Sequence, residues 1–414
     1  MFWEIFIYVS IYIGLFVSIF YTINLFSKRK EKVPILQENK QPKVSILIPA
    51  YNEAKGIATT IRSALKFDYP KHLLDIIVID DGSKDNTYEI ACRFKKYGIR
   101  VLRNKVNRGK GAAMNLGLSK VRGDFVFTMD ADHTTVKPDS IQKMVAYFNN
   151  SKVMCVAPIM LIRSPKGLLQ RIQAAEYLLG VFLRKAFASL NAIHVTPGAF
   201  SVYRKTFFDK YGRFDVDNLT EDLEMALRIQ SNHYIIENCT EAIVHTNAPN
   251  KFKELLIQRR RWYVGMLKNL LNYYHIFSRK YGVLGTVVLP VALISILFSV
   301  FLTGYIVITS LINLKNELIF LESINFSFLG AYDFSRFALE RILFSFLTNP
   351  LMLFFIVFGI VLAGYMLFAK SKIKQNANII GSLPLFMFFY SFFFAFWWVV
   401  SFIHFFSNRS VKWA

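Results

Sequence analysis

Two aspartates two residues apart in "MDADH" (129–133) are the first candidates for chemistry. On an extended segment, Asp130 and Asp132 can turn toward one ion. Hard carboxylate oxygens with open positions suit magnesium or manganese carrying phosphate oxygens. His133 would complete that shell or orient an acid. An isolated Asp-x-Asp is commonly a solvated turn, so its meaning depends on its setting. Tyr51, Asn52 and Glu53 follow the apolar run "VSILIPA", and Asp80 and Asp81 close "LDIIVIDD". "NRGKGAAMN" (107–115) sets two glycines and Lys110 at the start of a helical pattern, where backbone N–H groups and an ammonium can meet a diphosphate. Its bland reading is a helix start with surface cations.

"LTEDLEMALRIQ" (219–230) opens on Thr220, a helix-capping residue type, followed by Glu221 and Asp222. Acids in a first turn commonly complement the helix dipole. Asp222 becomes a general base if it sits within hydrogen-bond reach of an acceptor hydroxyl. The Pro-Gly turn of "TPGAFSVYRK" (196–205) suits close approach of backbone to a ligand. In "ELLIQRRRWYVGML" (254–267), Gln258, Arg261 and Trp262 fall at i, i+3 and i+4 and share one side of a helix. An indole suits the apolar face of a sugar ring, Gln its hydroxyls, and the planar fork of Arg261 a diphosphate. Arg259 and Arg260 fit the heads of a snorkelling interfacial helix resting in lipid phosphate. If Trp262 stacks on a sugar, Trp262→Ala abolishes activity while Arg259→Ala or Arg260→Ala, on other faces of the helix, costs much less; a purely interfacial anchor predicts the reverse ranking.

These residues need elements to position them. "KVSILIPAYN" reads as a buried parallel strand ending at a polar turn, and "AKGIATTIRSALKF" after it has helical spacing. "LDIIVIDDGS" with "KDNTYEIACRFKKY" repeats the unit, "RVLRN" with "GAAMNLGLSKV" makes a third, and "DFVFTMDADH" a fourth strand. The alternation predicts a mostly parallel sheet covered by helices, an α/β fold. Ligands bind beyond the carboxyl ends of such strands, where the acids recur. Acids gathered at one sheet edge repel one another. A bound cation with a hydroxyl-bearing ligand would account for their cost.

The 414 residues are 54% hydrophobic with 41 Phe, yet carry 50 Lys and Arg against 28 Asp and Glu. The two characters are segregated. Apolar runs at 2–26, 283–312, about 343–368 and about 379–406 flank a mixed globular region, and each suits a helix crossing a roughly 30 Å hydrocarbon core. "KRKEK" (28–32) and "KSKIK" (370–374) place their ends in the cytoplasm by the positive-inside rule. The resulting expectation is four spans with both termini outside, and a 315–342 connection outside that has room for a re-entrant piece. The organisation reads as an N-terminal transmembrane helix (1–27), a basic linker (28–42), a cytoplasmic globular domain (43–250), an interfacial amphipathic helix (251–280) and a transmembrane region of about three spans (281–414). On the amphipathic helix, Phe252, Leu255, Leu256, Met266, Leu267, Leu270 and Leu271 form the expected apolar face. The net charge of +22 suits an anionic lipid membrane better than nucleic acid, because the basic residues flank the spans. Cys92, Cys155 and Cys239 show no Cys-x-x-Cys pair and read as core residues.

With these motifs in place, the chain resembles the membrane-embedded processive glycosyltransferases of glycosyltransferase family 2: the cellulose, chitin, hyaluronan and bacterial poly-N-acetylglucosamine synthases. The resemblance runs by motif over about 43–275, with "QRRRW" as its specific part. It implies a GT-A fold, a nucleotide-sugar donor and a polysaccharide acceptor. It assigns Tyr51 and Asp81 to the uridine or ribose and Lys110 to the diphosphate, with Glu53 beside them as a further candidate for substrate. Asp130 and Asp132 would hold Mg2+ or Mn2+ with the donor, followed by His133. Asp222 would be the catalytic base, and Gln258, Arg261 and Trp262 would close the donor site and position the acceptor. "TPGAF" departs from the Cys-containing acceptor loop of cellulose synthases and looks closer to the hyaluronan synthase side. Two rivals are a single-transfer enzyme that glycosylates a polyprenyl phosphate, and a non-catalytic sugar- or partner-binding membrane protein. The latter sits poorly with the presence of Asp81, Asp132, Asp222 and Trp262 together.

The Asp-x-Asp reading gives the first prediction. Asp132→Asn is expected to remove most donor turnover while leaving the protein folded, and EDTA in excess to arrest the wild type. Full turnover in EDTA contradicts the assignment.

Overall fold

The computed structural model describes residues 2–27, 34–36, 41–132, 134–326, 336–348, 350–373 and 383–407. The expectations for His133, for "KRKEK" and for residues 327–335 of the 315–342 connection lie outside those residues.

After helix α1 (Phe2–Ser27), the chain forms strand β1 (Val44–Ala50), α2 (Ile57–Leu65), β2 (Leu74–Asp80), α3 (Thr87–Cys92), β3 (Arg100–Arg103), α4 (Lys110–Leu118) and β4 (Phe125–Thr128). Then follow β5 (Thr135–Val136), α5 (Ser140–Val145), β6 (Val153–Ile162), α6 (Gly167–Ser189), β7 (Val202–Arg204), α7 (Lys205–Tyr211), α8 (Glu221–Ser231), β8 (Ile235–Thr246) and α9 (Phe252–Asn272). The C-terminal helices are α10 (Leu289–Ser323), α11 (Arg336–Thr348), α12 (Pro350–Ile373) and α13 (Leu383–Phe406).

The eight strands form one sheet in the order β3-β2-β1-β4-β7-β6-β8-β5. β3, β2, β1 and β4 pair in parallel, as the alternation predicts. β7 runs antiparallel to both β4 and β6, while β6 and β8 are parallel. The sheet is therefore α/β and mixed. β1 reads as a continuous apolar run because both its faces are covered. Val44, Ile46 and Ile48 pack with Ile57 and Ile61 of α2, and Leu47 packs with Ala113 and Met114 of α4 on the other side.

The globular part and the apolar helices share one core. Ile159 and Leu161 of β6 meet Ile172, Ala175 and Leu178 of α6, and these meet Leu362, Met366 and Ala369 of α12. Phe182 of α6 stacks on Tyr365 of α12 with ring centroids 3.8 Å apart. The first two turns of α8, through Leu223 and Leu227, join Leu270 of α9 and Leu289 of α10 in another cluster.

Among the described residues, two helices are long and apolar enough to cross a membrane: Ile5–Phe26 and Leu284–Ser323. The second runs 40 residues, beginning with a π-type turn at Leu284–Val288, and so passes well beyond the expected 283–312 span. The expected run at 343–368 is shared between α11 and α12, and the one at 379–406 is α13. Their apolar stretches among the described residues, Ile356–Ser371 and Phe392–Phe406, are shorter.

α9 departs from expectation. Leu255 and Leu270 are buried, but Phe252 and Leu271 of the expected apolar face are exposed, while Arg259, Val264, Gly265 and Asn269 are buried. The helix is a wedge with chain on several sides, not a cylinder with one greasy stripe. Arg259 is 2% exposed and grips Glu176 of α6 with two hydrogen bonds, at 2.8 and 2.7 Å. Its guanidinium lies 4.4 Å from the ring centroid of Trp262 and 5.5 Å from that of Trp397. Arg260 faces His404 of α13, with Nη1 3.1 Å from Nε2. Arg259 is thus enclosed by protein and not placed like a lipid-facing head group, and Arg259→Ala is expected to be costly where the sequence suggested it would be cheap. Removing one member of a buried ion pair costs about 3–5 kcal/mol, because the other charge is stranded.

Candidate active site

The carboxyl ends of β1, β2 and β4 deliver the polar groups to one edge. The turn after β1 is laced to the turn after β2: the Asn52 N–H donates to Ser83 Oγ (2.9 Å), Glu53 N–H to Thr87 Oγ1 (2.8 Å) and Ala54 N–H to Asp85 Oδ2 (3.1 Å). Tyr51 is half-buried at the head of that lacing. Asp81 is buried and accepts from the Asn104 side chain (2.7 Å) and from the backbone N–H groups of Arg108 (3.2 Å) and Gly109 (2.8 Å). Those N–H groups, which "NRGKG" offered to a phosphate, are therefore engaged by Asp81, and Asp81 shapes the loop that presents Lys110.

Lys110 Nζ donates to Asp130 Oδ1 at 2.8 Å and lies 3.1 Å from Glu221 Oε1. Burial pulls the ammonium down, but Asp130, Glu221 and Asp222 outweigh it and hold the group above its ordinary range. Lys110 is thus a permanent cation between the strand-end acids and the start of α8. On its far side the acids are under-neutralised. Burial, then Asp130 and Asp85, push the Glu53 carboxyl up to about 7. Burial and Asp130 push Asp132 up to about 7, against a hydrogen bond from Thr134 Oγ1 at 3.1 Å.

These hard oxygens at mutual repulsion fit a divalent cation in charge and donor chemistry. Among the described residues, no three His, Cys, Asp or Glu side chains form a cage for an ion by themselves. An ion on Asp130 and Asp132 would leave positions for donor phosphate oxygens.

The "TPGAF" turn joins the two halves of the site. Thr128 Oγ1, at the end of β4, donates to the Gly198 carbonyl (2.8 Å), and Thr196 Oγ1 donates to the Asp222 carbonyl (2.9 Å). Phe200 adopts a left-handed φ of 62°, held there by burial among Phe67 and Phe127. A methyl group at residue 198 would fall 2.9 Å from Lys110 Nζ and 3.0 Å from Asp222 Oδ2. Only glycine lets the backbone pass this close to both. Asp222 leads α8, and its Oδ1 accepts from the Leu223 N–H at 2.8 Å. Burial and then Glu221 push its carboxyl up to about 6, against the pull of Lys110.

Glu53, Lys110, Asp130, Asp132 and Asp222 thus come together. Gln258, Arg261 and Trp262 share α9, but Trp262 packs into the cluster of Tyr263, Trp397 and Trp398, with one ring face under Arg259. Thr220, expected as a cap, stands at the right position without capping α8 through its side chain. Sequence reasoning passed over Glu176, although it is the lone acid of the apolar α6 and so the natural partner for a buried arginine. It also passed over Asn218, Gly265 and Asn269, which bind α9 to the start of α8 and carry no motif of their own.

A base with a raised pKa has a definite pH signature. If Asp222 acts ionised, kcat/KM for sugar transfer falls below pH 6 by roughly tenfold per unit, as its carboxyl takes up a proton. The measurement is the pH profile of the full-length protein. An acid limb that stays flat down to pH 5 contradicts the role.

Residues 45–212 match the family described as Glycosyl transferase family 2. The chain is 33% identical over 232 residues to the poly-beta-1,6-N-acetyl-D-glucosamine synthase of Staphylococcus epidermidis, a match covering 55% of this chain and 56% of that protein. It is 30% identical over 264 residues to the probable glycosyltransferase YdaM of Bacillus subtilis, covering 61% and 63%. The chain thus spans less than two thirds of the length of these relatives. Among solved structures, the mannosyltransferase PcManGT from Pyrobaculum calidifontis, in complex with GDP-Man and Mn2+, superposes with a TM-score of 0.56 over 91% of this chain and 98% of that one, at 16% identity. That likeness is one of fold, and it extends past the sheet into the C-terminal helices. The match to that family thus runs from β1 to the end of α7.

Proposed function

We propose that the protein is an inverting glycosyltransferase that moves a sugar from a nucleotide sugar onto the hydroxyl of a growing β-linked polysaccharide. The observation that carries the reading is the meeting of Lys110 and Asp222 at Gly198, beside the acids Asp130 and Asp132. On this reading Lys110 serves as a fixed cation for the leaving diphosphate, and Asp222, its carboxyl raised by burial and Glu221, serves as the base beside it.

Asp222 takes the proton of the acceptor hydroxyl. The oxygen bonds to the anomeric carbon as the bond from that carbon to the diphosphate oxygen breaks. The electron pair leaves with the nucleoside diphosphate, and attack from the opposite side turns an α-linked donor into a β-linked product. Lys110 faces the charge that develops on the leaving group, and its ion pairs with Asp130 and Glu221 fix it before the reaction begins. A Mg2+ or Mn2+ ion held by Asp130 and Asp132 would add positive charge at the same diphosphate. Tyr51, Glu53 and Asp81 surround the nucleoside and sugar in this reading. Gln258, Arg261 and the open side of Trp262 border the acceptor.

The relatives named for poly-N-acetylglucosamine synthesis make UDP-N-acetylglucosamine the first donor to try. α1, α10, α12 and α13 are read as four membrane spans, with the catalytic edge on the cytoplasmic side and the polymer leaving across the membrane. Two of these helices have the length and apolarity for the role unaided.

The full chain, purified into lipid and supplied with each nucleotide sugar, is expected to release UDP and to build long, water-soluble polymer from UDP-N-acetylglucosamine. A chloroform-soluble glycolipid as the sole product overturns the polymer reading in favour of single transfer to a lipid phosphate. No nucleotide release from any donor overturns the enzymatic reading.

A further inference from the structure

α9 reaches the catalytic base through a buried polar contact at the start of α8. Asn269 has no exposed surface. Its Nδ2 donates to Thr220 Oγ1 and to Asn218 Oδ1, both at 3.0 Å, and its Oδ1 accepts from Asn218 Nδ2 at 2.7 Å. Every polar atom of the Asn269 side chain is thereby matched. One turn earlier on α9, Gly265 opens the space that Thr220 occupies: a methyl there would fall 2.5 Å from Thr220 Oγ1 and 2.7 Å from its Cγ2. Two residues of α9 therefore fix one threonine, and that threonine immediately precedes Glu221 and Asp222.

The consequence lies in how α8 begins. A threonine at a helix N-cap ordinarily turns its oxygen onto a first-turn N–H. Thr220 does not, since its hydroxyl is held toward Asn269. The first-turn N–H of Leu223 is satisfied instead by Asp222 Oδ1, which leaves Oδ2 as the oxygen nearest Gly198. The Thr220 hydroxyl and the Asp222 carboxylate are competitors for first-turn donors, and only one of them can hold that position.

We propose that Asn269 is a positioning residue for transfer: by holding the Thr220 hydroxyl on α9, it leaves the Leu223 N–H to Asp222 and so aims the base at the acceptor. The proposal rests on Asp222 as the base. It places the orientation of that base under the control of α9, the helix that also carries Gln258, Arg261 and Trp262.

The test is a double-mutant cycle on the full chain in lipid, with UDP-N-acetylglucosamine as donor. Asn269→Leu keeps the side-chain volume and cannot hold the hydroxyl. It is expected to lower kcat about tenfold with KM for the donor changed less than about twofold, since only the acceptor side is disturbed. Thr220→Val in the Asn269→Leu background removes the competing hydroxyl and is expected to restore kcat to within about threefold of wild type. An asparagine that serves only to bind two helices together predicts the opposite, because the second substitution then adds a second loss. A double variant no better than Asn269→Leu overturns the proposal. So does an Asn269→Leu protein that loses donor affinity together with kcat and is not rescued, which marks a folding determinant. Asp222→Asn in the same assay separates the two levels. If it keeps wild-type turnover, the base assignment has failed; if it is inactive while Asn269→Leu has wild-type kcat, the positioning claim alone has failed.

Discussion

The ion pair between Arg259 and Glu176 is the contact on which the arrangement of this protein turns. A guanidinium in an apolar cluster is costly unless its charge and its donors are matched. Here Glu176 meets it with two parallel hydrogen bonds, and Trp262 and Trp397 lie within cation–π distance. Such a fork specifies direction and register as well as attraction. It ties α9 to α6, and α6 is the helix that packs on β6 of the sheet and on α12 of the apolar region. The sheet and the apolar helices thus meet on α6, and the buried pair ties the wedge to that same helix.

From that anchor the geometry runs to the site. Farther along α9, Gly265 and Asn269 meet Thr220, and Thr220 leads into Asp222. From the other side, β1, β2 and β4 bring Glu53, Asp81, Asp130 and Asp132 to one edge, and the "TPGAF" turn draws Asp222 and Lys110 to either side of Gly198. Lys110 bonds to Asp130 and pairs with Glu221, so the strand-end acids and the start of α8 are electrostatically one unit. The raised carboxyls of Glu53, Asp132 and Asp222 record burial first and then the repulsion of neighbouring acids, which one lysine does not cancel. Such an imbalance suits a divalent cation in charge and donor chemistry.

The candidate site residues were readable because their types are costly anywhere else. Asp130, Asp132 and Asp222 could be found from acids recurring at strand ends and at a helix start. The parallel half of the sheet was readable from apolar runs alternating with helical spacing. β7 was not, since three residues running antiparallel leave no periodic trace. α9 was misread in a more instructive way. Hydrophobic periodicity finds a buried face only when that face is apolar, and α9 buries Arg259, Gly265 and Asn269 because each meets a specific partner elsewhere in the chain. Glu176, Asn218 and Thr220 lie 83, 51 and 49 residues from those they hold, and no local pattern encodes such pairs. The π-type start of α10 and its length beyond the expected span belong to the same class of packing-determined features.

The central claim is that the buried pair holds α9, and through α9 the leading turn of α8, as one cooperative unit. Amide hydrogen exchange on the full chain in lipid tests it directly, with wild type compared against Arg259→Met, which keeps the aliphatic bulk and removes the charge. The account predicts faster exchange along α9 and also at the first amides of α8, with β1 in the sheet unchanged. Exchange that rises around residue 259 alone, leaving the start of α8 as protected as in wild type, would contradict it.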